Sequence, residues 1–566
     1  MLMLVVSKIR RLVPVAGLLG LVACGGDLND QPAANQADSL AQRAGAPLFE
    51  GMGDYHMPIT TADPDAQRYF DQGMVLAFGF NHAESIRSFR AAQTLDPQCA
   101  MCFWGEALAT GPNINVTNNG KAVMAPAERV SARAAIDAAL ALIDGVTPKE
   151  QDWIRALDAR YDGQSDTSRD PLDRAWADSL AVMAERYPDD TTVASVYAEA
   201  LMNTMPWDYW GPNGEAKPDT QAVIASLEAV MAADPNHPLA LHLYIHALEA
   251  SSNAAKAETA ADRLADLVPG SGHLVHMPSH IYFRVGRYQD SAMANIRAAE
   301  VDEAYIAQCN AQGFYPALYY PHNIHFLWAS ATMQGQSALS LDSARRVVAN
   351  VRVEQVEQFP TIQFFRTVPM LSLVRFARWE EILVEPEPYE PFAFARAIWH
   401  YGRGVAHAAL GDAEAALTEL AAIEALEPEV DEIFMGNVYP ARDLLGIAKS
   451  LLIGEVAYRS GNAAAAMLAF EEAVSLQDAL PYTEPPFWYY PTRQSLGAAL
   501  LASDRLAEAQ AVFEADLAQY PMNGWSMFGL AEALRRQGDN TAAAEVTARF
   551  ETVWQFADVS LKASIL

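Results

Sequence analysis

Helical runs end in proline at Asp96-Pro97, Asp234-Pro235, Val268-Pro269, Glu427-Pro428 and Tyr520-Pro521, and Pro235 and Pro269 stand 34 residues apart. Proline lacks an N–H and clashes with the preceding turn, so each of these dipeptides stops a helix. A stop that recurs at this period marks a chain of stacked helical hairpins, in which each unit buries its apolar face only against its neighbours. From about Asp63 onward apolar residues recur at helical spacing and alternating β-branched runs are almost absent. The chain therefore reads as all-α, an α-solenoid of helix-turn-helix repeats.

Small and bulky residues hold fixed offsets from these prolines. Tyr69, Gly73, Phe89 and Ala92 fill bulky, small, bulky and small positions before Pro97. Gly402, Gly404, Gly411 and Ala416 keep that phase before Pro428, and Gly497, Ala509 and Phe513 keep it before Pro521. Turns between paired helices recur as Gly286-Arg287-Tyr288, Gly461-Asn462 and Gly538-Asp539. Insertions interrupt the array at 111–126, at 206–212 and at 306–320, the last carrying Cys309. Loops of this length in a stacked array cap the structure or line a site.

With 566 residues, 51% of them hydrophobic, the chain can bury a long continuous core. A formal charge of −31 opposes binding to phosphate backbones, so nucleic acid is excluded as an expected partner. The same acidity also serves solubility. Lys8, Arg10 and Arg11 precede a short apolar run over 12–22, and Leu21-Val22-Ala23-Cys24 places small residues before a cysteine. This resembles a bacterial lipoprotein signal peptide, which implies cleavage after residue 23, lipidation of Cys24 and export. The run is shorter than the roughly 20 residues a membrane-spanning helix needs. Gly25 follows the cysteine, which by the same analogy implies the outer membrane, with the protein facing the periplasm.

The histidines carry the chemistry. His242 and His246 lie at i and i+4 on one helix, with Glu249 at i+7, so the three share a face beside the apolar stripe of Leu241, Ile245 and Leu248. His276 and His280 repeat the pair 34 residues later, with His273 one turn before them. After the third insertion comes Pro321-His322-Asn323-Ile324-His325, where the repeat phase places His325 in the position of His242 and His276, and His322 and His273 are further candidate ligands. Packed helices run about 8–10 Å apart, close enough for imidazoles on neighbouring helices to converge. Converging neutral imidazoles with a nearby carboxylate suit zinc, copper or ferrous iron. Glu199 and Glu249 are the candidate acidic ligands, orienting groups or general bases. The alternative is a polar groove in which these rings satisfy hydrogen bonds or meet a carboxylate ligand. Pro278 should kink the helix that carries the second pair.

Other histidines read as structural: His82 and His56 as capping or packing groups, His400 and His407 as core, and His237 as the start of a repeat. Cys99-Ala100-Met101-Cys102 opens a helix and leaves three readings: a short disulfide, a redox couple, or a soft-metal site with Met101. The absence of CxxCH excludes haem attachment by that motif. The aromatic and proline-rich insertion at 481–490 reads as packing or as a peptide-binding rim. No phosphate-binding glycine loop, GxSxG elbow or HExxH motif occurs.

FNHAES around His82, CAMCFWG around Cys102, GPNIN at Gly111, HLYIHALEAS at His242, HLVHMPSHIY at His273, PHNIHF at His322 and EPPFWYYPTRQSLGAALL near Trp488 together resemble a bacterial family of tetratricopeptide repeat (TPR) lipoproteins. The resemblance spans the exported chain. It implies the repeat fold, with the histidine position on the concave face, and implies no activity. The expected organisation is a signal peptide at 1–23, a flexible tether at 24–48, a histidine-rich TPR-like solenoid at 49–345 and further repeats at 346–566. The expected function is a lipid-anchored envelope protein that binds a peptide or protein in its groove and holds a metal at the histidines. The competing expectation is a metalloenzyme with a glutamate base.

Overall fold

The computed structural model describes residues 40–118, 121–164, 167–211, 214–309, 315–358, 360–430 and 439–566. The signal segment, Cys24 and the tether up to residue 39 lie outside the described residues. Within them the chain is an all-α solenoid, with one short antiparallel ribbon, Thr117–Asn118 against Lys121–Ala122, inside the first insertion. Each helix packs chiefly on the helix before it and the helix after it. No helix among the described residues is long and apolar enough to cross a membrane.

The first repeats show why the sequence folds this way. Helix α1 (Pro64–Phe78) begins with proline at its first turn, and the Asp63 side chain accepts from the Asp65 N–H. Helix α2 (His82–Leu95) is capped by Asn81, and α3 (Ala100–Thr110) follows Pro97. The ring of Phe89 on α2 wedges between Gly73 on α1 and Gly105 on α3. A Cβ on Gly73 would lie 2.7 Å from that ring and one on Gly105 2.3 Å, so only glycine permits the approach. The wedge recurs near the C-terminus, where Phe513 of α10 (Leu506–Gln519) sits between Gly497 of α9 (Arg493–Ala502) and Gly529 of α11 (Gly524–Gln537).

Four central helices carry the candidate site: α4 (Pro238–Glu249), α5 (Gly272–His276), α6 (Pro278–Arg284) and α8 (Tyr320–Met333), with α7 (Tyr288–Cys309) packed behind them. Pro278 does break its helix as expected, dividing α5 from α6 at Met277. The third insertion begins later than its sequence suggested, because α7 runs on to Cys309. The segment Tyr315–Tyr319 then enters α8 as a π-helical turn.

The solenoid also coils back on itself. Helix α1 packs on α4, and the indole N–H of Trp525 on α11 donates to the Thr332 carbonyl of α8 at 3.1 Å. Asp558 accepts from the backbone N–H groups of Ser337 and Ala338. The apolar core accordingly forms two large clusters, one from Met57 to Tyr319 and the other from Phe283 to Val546, which overlap at the central helices. Segments distant in sequence thereby meet around α4 to α8.

Candidate metal centre

Two histidine triads form where α4, α5, α6 and α8 converge: His242, His246 and His273 in one, His276, His280 and His322 in the other. Within each triad a nitrogen from every ring lies within 4.8 Å of the others. All but the half-buried His322 are buried. The triads abut, with ring centroids 5.8 Å apart for His246 and His280 and 5.9 Å for His273 and His276.

Acceptors fix the orientation of four of these rings. His242 Nδ1–H donates to the Phe78 carbonyl at 2.6 Å, where α1 ends against α4. The carboxylate of Glu249 accepts from both triads, from His246 Nδ1 through Oε1 and from His280 Nδ1 through Oε2, each at 2.6 Å. His276 Nδ1–H donates to Asn295 Oδ1 at 2.6 Å, and the Asn295 amide is held by its own donation to the Ser291 carbonyl. Carbonyl and carboxylate oxygens only accept, so Nδ1 carries a proton in all four rings, and wherever the ring is neutral Nε2 presents a lone pair. This is the arrangement in which a histidine ligand is set by the partner of its other nitrogen.

Two of these Nε2 atoms face each other. His276 Nε2 lies 2.8 Å from His280 Nε2, a distance at which two lone pairs repel and at which a proton on either nitrogen makes a hydrogen bond. Both ring nitrogens of His273 and the Nε2 atoms of His242 and His246 are buried without a hydrogen-bond partner. Each such nitrogen costs about 1–3 kcal/mol in a protein interior unless something bonds to it.

Burial and the neighbouring rings keep His242, His273, His276 and His322 well below the ordinary imidazole range, so they are neutral at neutral pH and ready to donate electron pairs. Burial also lowers His246, with Glu249 opposing. Burial works against a charge on His280 too, but the Glu249 carboxylate outweighs it and His280 is raised. Burial would raise Glu249, but His280 and His246 hold it down to about 2. A proton on His280 is therefore the competitor of a metal ion for the position between His280 and His276.

Further groups come from the insertions. The exposed indole of Trp207 meets the edge of His246 at 5.3 Å and donates to Asn115. Tyr319, from the π-helical turn, lies 4.8 Å from His273. Tyr315 donates to Asp302, which burial pushes up to about 7, and its oxygen accepts from the His273 backbone N–H. The aromatic insertion supplies Tyr482, whose hydroxyl reaches both Glu249, at 3.3 Å, and Glu484. Burial pushes the Glu484 carboxyl up to about 7. That insertion, read from the sequence as packing or a rim, thus enters the site. Nothing local in its sequence signals this.

Not every expected residue joins. His325 is a correction to the repeat phase: it stacks on Trp328 at 5.1 Å and meets Phe364 and Phe365, while His322 takes the place beside His276. Glu199 is in neither triad and interacts with Arg160; burial pushes its carboxyl up to about 7. Glu249 serves the rings' Nδ1 atoms and is not in a triad itself. Cys99 and Cys102 form a disulfide in a small apolar cluster with Leu40 and Tyr69, so as cystine they offer no thiolate to a metal. Cys309 is a free thiol, raised to about 11 by burial and by Glu84.

The remaining histidines sit elsewhere. His56 pairs with Asp71, and His82 lies beside the Asn113 amide. His400 and His407, expected in the core, are half-buried around Glu419 with Arg403. His237 caps α4.

No protein-family model matches this chain, and no curated protein matches it in sequence. Among solved structures it is similar to the APC/C hetero-tetramer Cut9-Hcn1, at 13% identity over 86% of this chain and 73% of that chain, with a TM-score of 0.28. It is similar to yeast Tom70 at 11% identity over 86% of this chain and 93% of that one, with a TM-score of 0.27. It is also similar to the TPR domain of P58(IPK), at 12% identity over 84% of this chain and 99% of that one, with a TM-score of 0.22.

Proposed function

We propose that the protein binds a transition-metal ion in this histidine cluster, on a helical-repeat scaffold tethered in the cell envelope by lipid on Cys24. The observation that carries the reading is the 2.8 Å approach of the His276 and His280 Nε2 atoms while both Nδ1 atoms donate to fixed acceptors. A metal ion seated beside the line that joins them, about 2.0 Å from each nitrogen, turns both lone pairs into bonds. Zinc, copper and ferrous iron are the ions that imidazole suits. The envelope location rests on the Leu21-Val22-Ala23-Cys24 motif alone. A repeat surface of this length also suits a peptide or protein partner, a reading that rests on the architecture. As for catalysis, Glu249 is fully buried and both its oxygens accept from imidazoles, which makes it a positioning residue.

Metal analysis of full-length protein without a polyhistidine tag tests the reading, beside a His242→Ala/His276→Ala variant checked for helix content by circular dichroism. Stoichiometric metal in the wild type and its loss in a folded variant are expected. Trace metal in both leaves the proton on His280 as the account of the site and ends the metal reading.

A further inference from the structure

We infer that the two triads hold two metal ions as one interacting pair and that copper is the metal they fit, an inference that rests on the metal reading above. Each triad is a complete three-nitrogen site, with its donor atoms gathered within 4.8 Å. Nearest rings of the two triads have centroids only 5.8 and 5.9 Å apart. An ion stands about 2.0 Å from each nitrogen that binds it, so ions in the two triads are neighbours inside one buried volume. Glu249 makes them a unit, because one carboxylate orients His246 in the first triad and His280 in the second.

The donor set selects the metal. Neither triad contains a thiolate or a carboxylate oxygen, so the ions meet neutral imidazole alone. Copper stands highest in affinity for such nitrogen donors among the divalent first-row metals. Charge separates copper from zinc more sharply. The rings contribute none, Glu249 bonds to two of them, and Asp302 and Glu484 each stand one tyrosine hydroxyl further out. Two cuprous ions bring two positive charges and two zinc ions bring four, and a buried site tolerates uncompensated charge poorly.

Full-length protein stripped of metal is titrated anaerobically with Cu(I) and separately with Zn(II). The copper-loaded sample is then oxidised with ferricyanide and read by electron paramagnetic resonance. The expected result is two coppers per chain, held in preference to equimolar zinc. The oxidised sample should show either a half-field transition or a signal that integrates to well under its copper content. His322→Ala removes the least buried ligand and His242→Ala removes one from the other triad. Each variant should keep one copper whose signal accounts for all of it, with helix content unchanged. One copper per wild-type chain, or two that show no interaction, overturns the pair and leaves the metal reading standing. Zinc displacing Cu(I) at equal concentration overturns copper as the metal. Failure to bind either ion overturns the metal reading as well.

Discussion

The Tyr482 hydroxyl donates to the Glu249 carboxylate at 3.3 Å across 233 positions of sequence. Glu249 in turn orients His246 and His280, so a side chain from the C-terminal repeats supports ring positions on α4 and α6. The contact exists because the solenoid coils back on its own middle. It ties the metal reading to the integrity of both halves of the chain.

Tyr482→Phe keeps the ring, which also receives the Arg284 guanidinium at 5.5 Å, and removes only the hydroxyl. Residues that orient metal ligands typically change affinity by about 10–100-fold, and this one acts at one remove. A loss of about tenfold, read by competition with a chelator, is the expected outcome. Affinity equal to wild type would show that Glu249 needs no support from the C-terminal half.

Glu249→Gln retains size but leaves one oxygen to serve two imidazole donors. The amide N–H that replaces the other oxygen faces a second N–H, so either His246 or His280 must turn over. Metal affinity should fall by about 10–100-fold. The apoprotein should also lose the raised pKa of His280, since the carboxylate charge that opposes burial there is gone. Histidine titration followed by NMR in the metal-free protein checks this second effect without any metal. An unchanged His280 would mean that another group raises it.

Much of this site was legible in the sequence, and its limits have a physical cause. The i, i+4 spacing of His242 and His246, and its return at His276 and His280, encodes which side chains meet on adjacent helices of a stack. That information is local to the repeat. His322 and His325 both read as candidates in the sequence, and only the fold separates them: His322 stands beside His276, while His325 packs on Trp328 and Phe365. Tyr482 and Glu484 were invisible as site residues because period describes neighbours along the solenoid and not contacts across its return. The Phe89 and Phe513 wedges, in contrast, are legible in the sequence as bulky and small positions at fixed offsets from the prolines.

Gly529→Ala tests those wedges away from the site. A Cβ there would lie 2.2 Å from the Phe513 ring, and a backbone held on both sides by neighbouring helices has little room to move. Overpacking of this kind costs about 1–3 kcal/mol. Thermal unfolding should shift downward, and Gly529→Ala combined with Phe513→Leu should recover part of the loss. No shift for the single variant would mean that the repeats slide freely past the ring. Metal content should be unchanged in either variant, because the substituted helices carry none of the imidazoles.

His237 provides a test of burial electrostatics independent of any metal. Its ring caps α4, accepting the Ala240 N–H at Nδ1, and is 1% exposed. Burial lowers its pKa from 6.5 to about 4, with Asp234 opposing. Between those values the unfolded chain binds a proton that the folded chain does not, so this histidine makes stability fall as pH falls, by about 1.4 kcal/mol per pH unit. Asparagine also caps helices and does not titrate. His237→Asn should therefore be less stable than wild type at pH 7, where the ring still packs on Tyr55 and Phe78. Its deficit should shrink steadily as the pH is lowered through the window that opens at 6.5 and closes near 4. Urea unfolding of both proteins across that window measures the difference directly. Parallel pH curves would show that His237 titrates in the folded protein as it does in the unfolded chain, and that burial at the start of α4 exacts no electrostatic penalty.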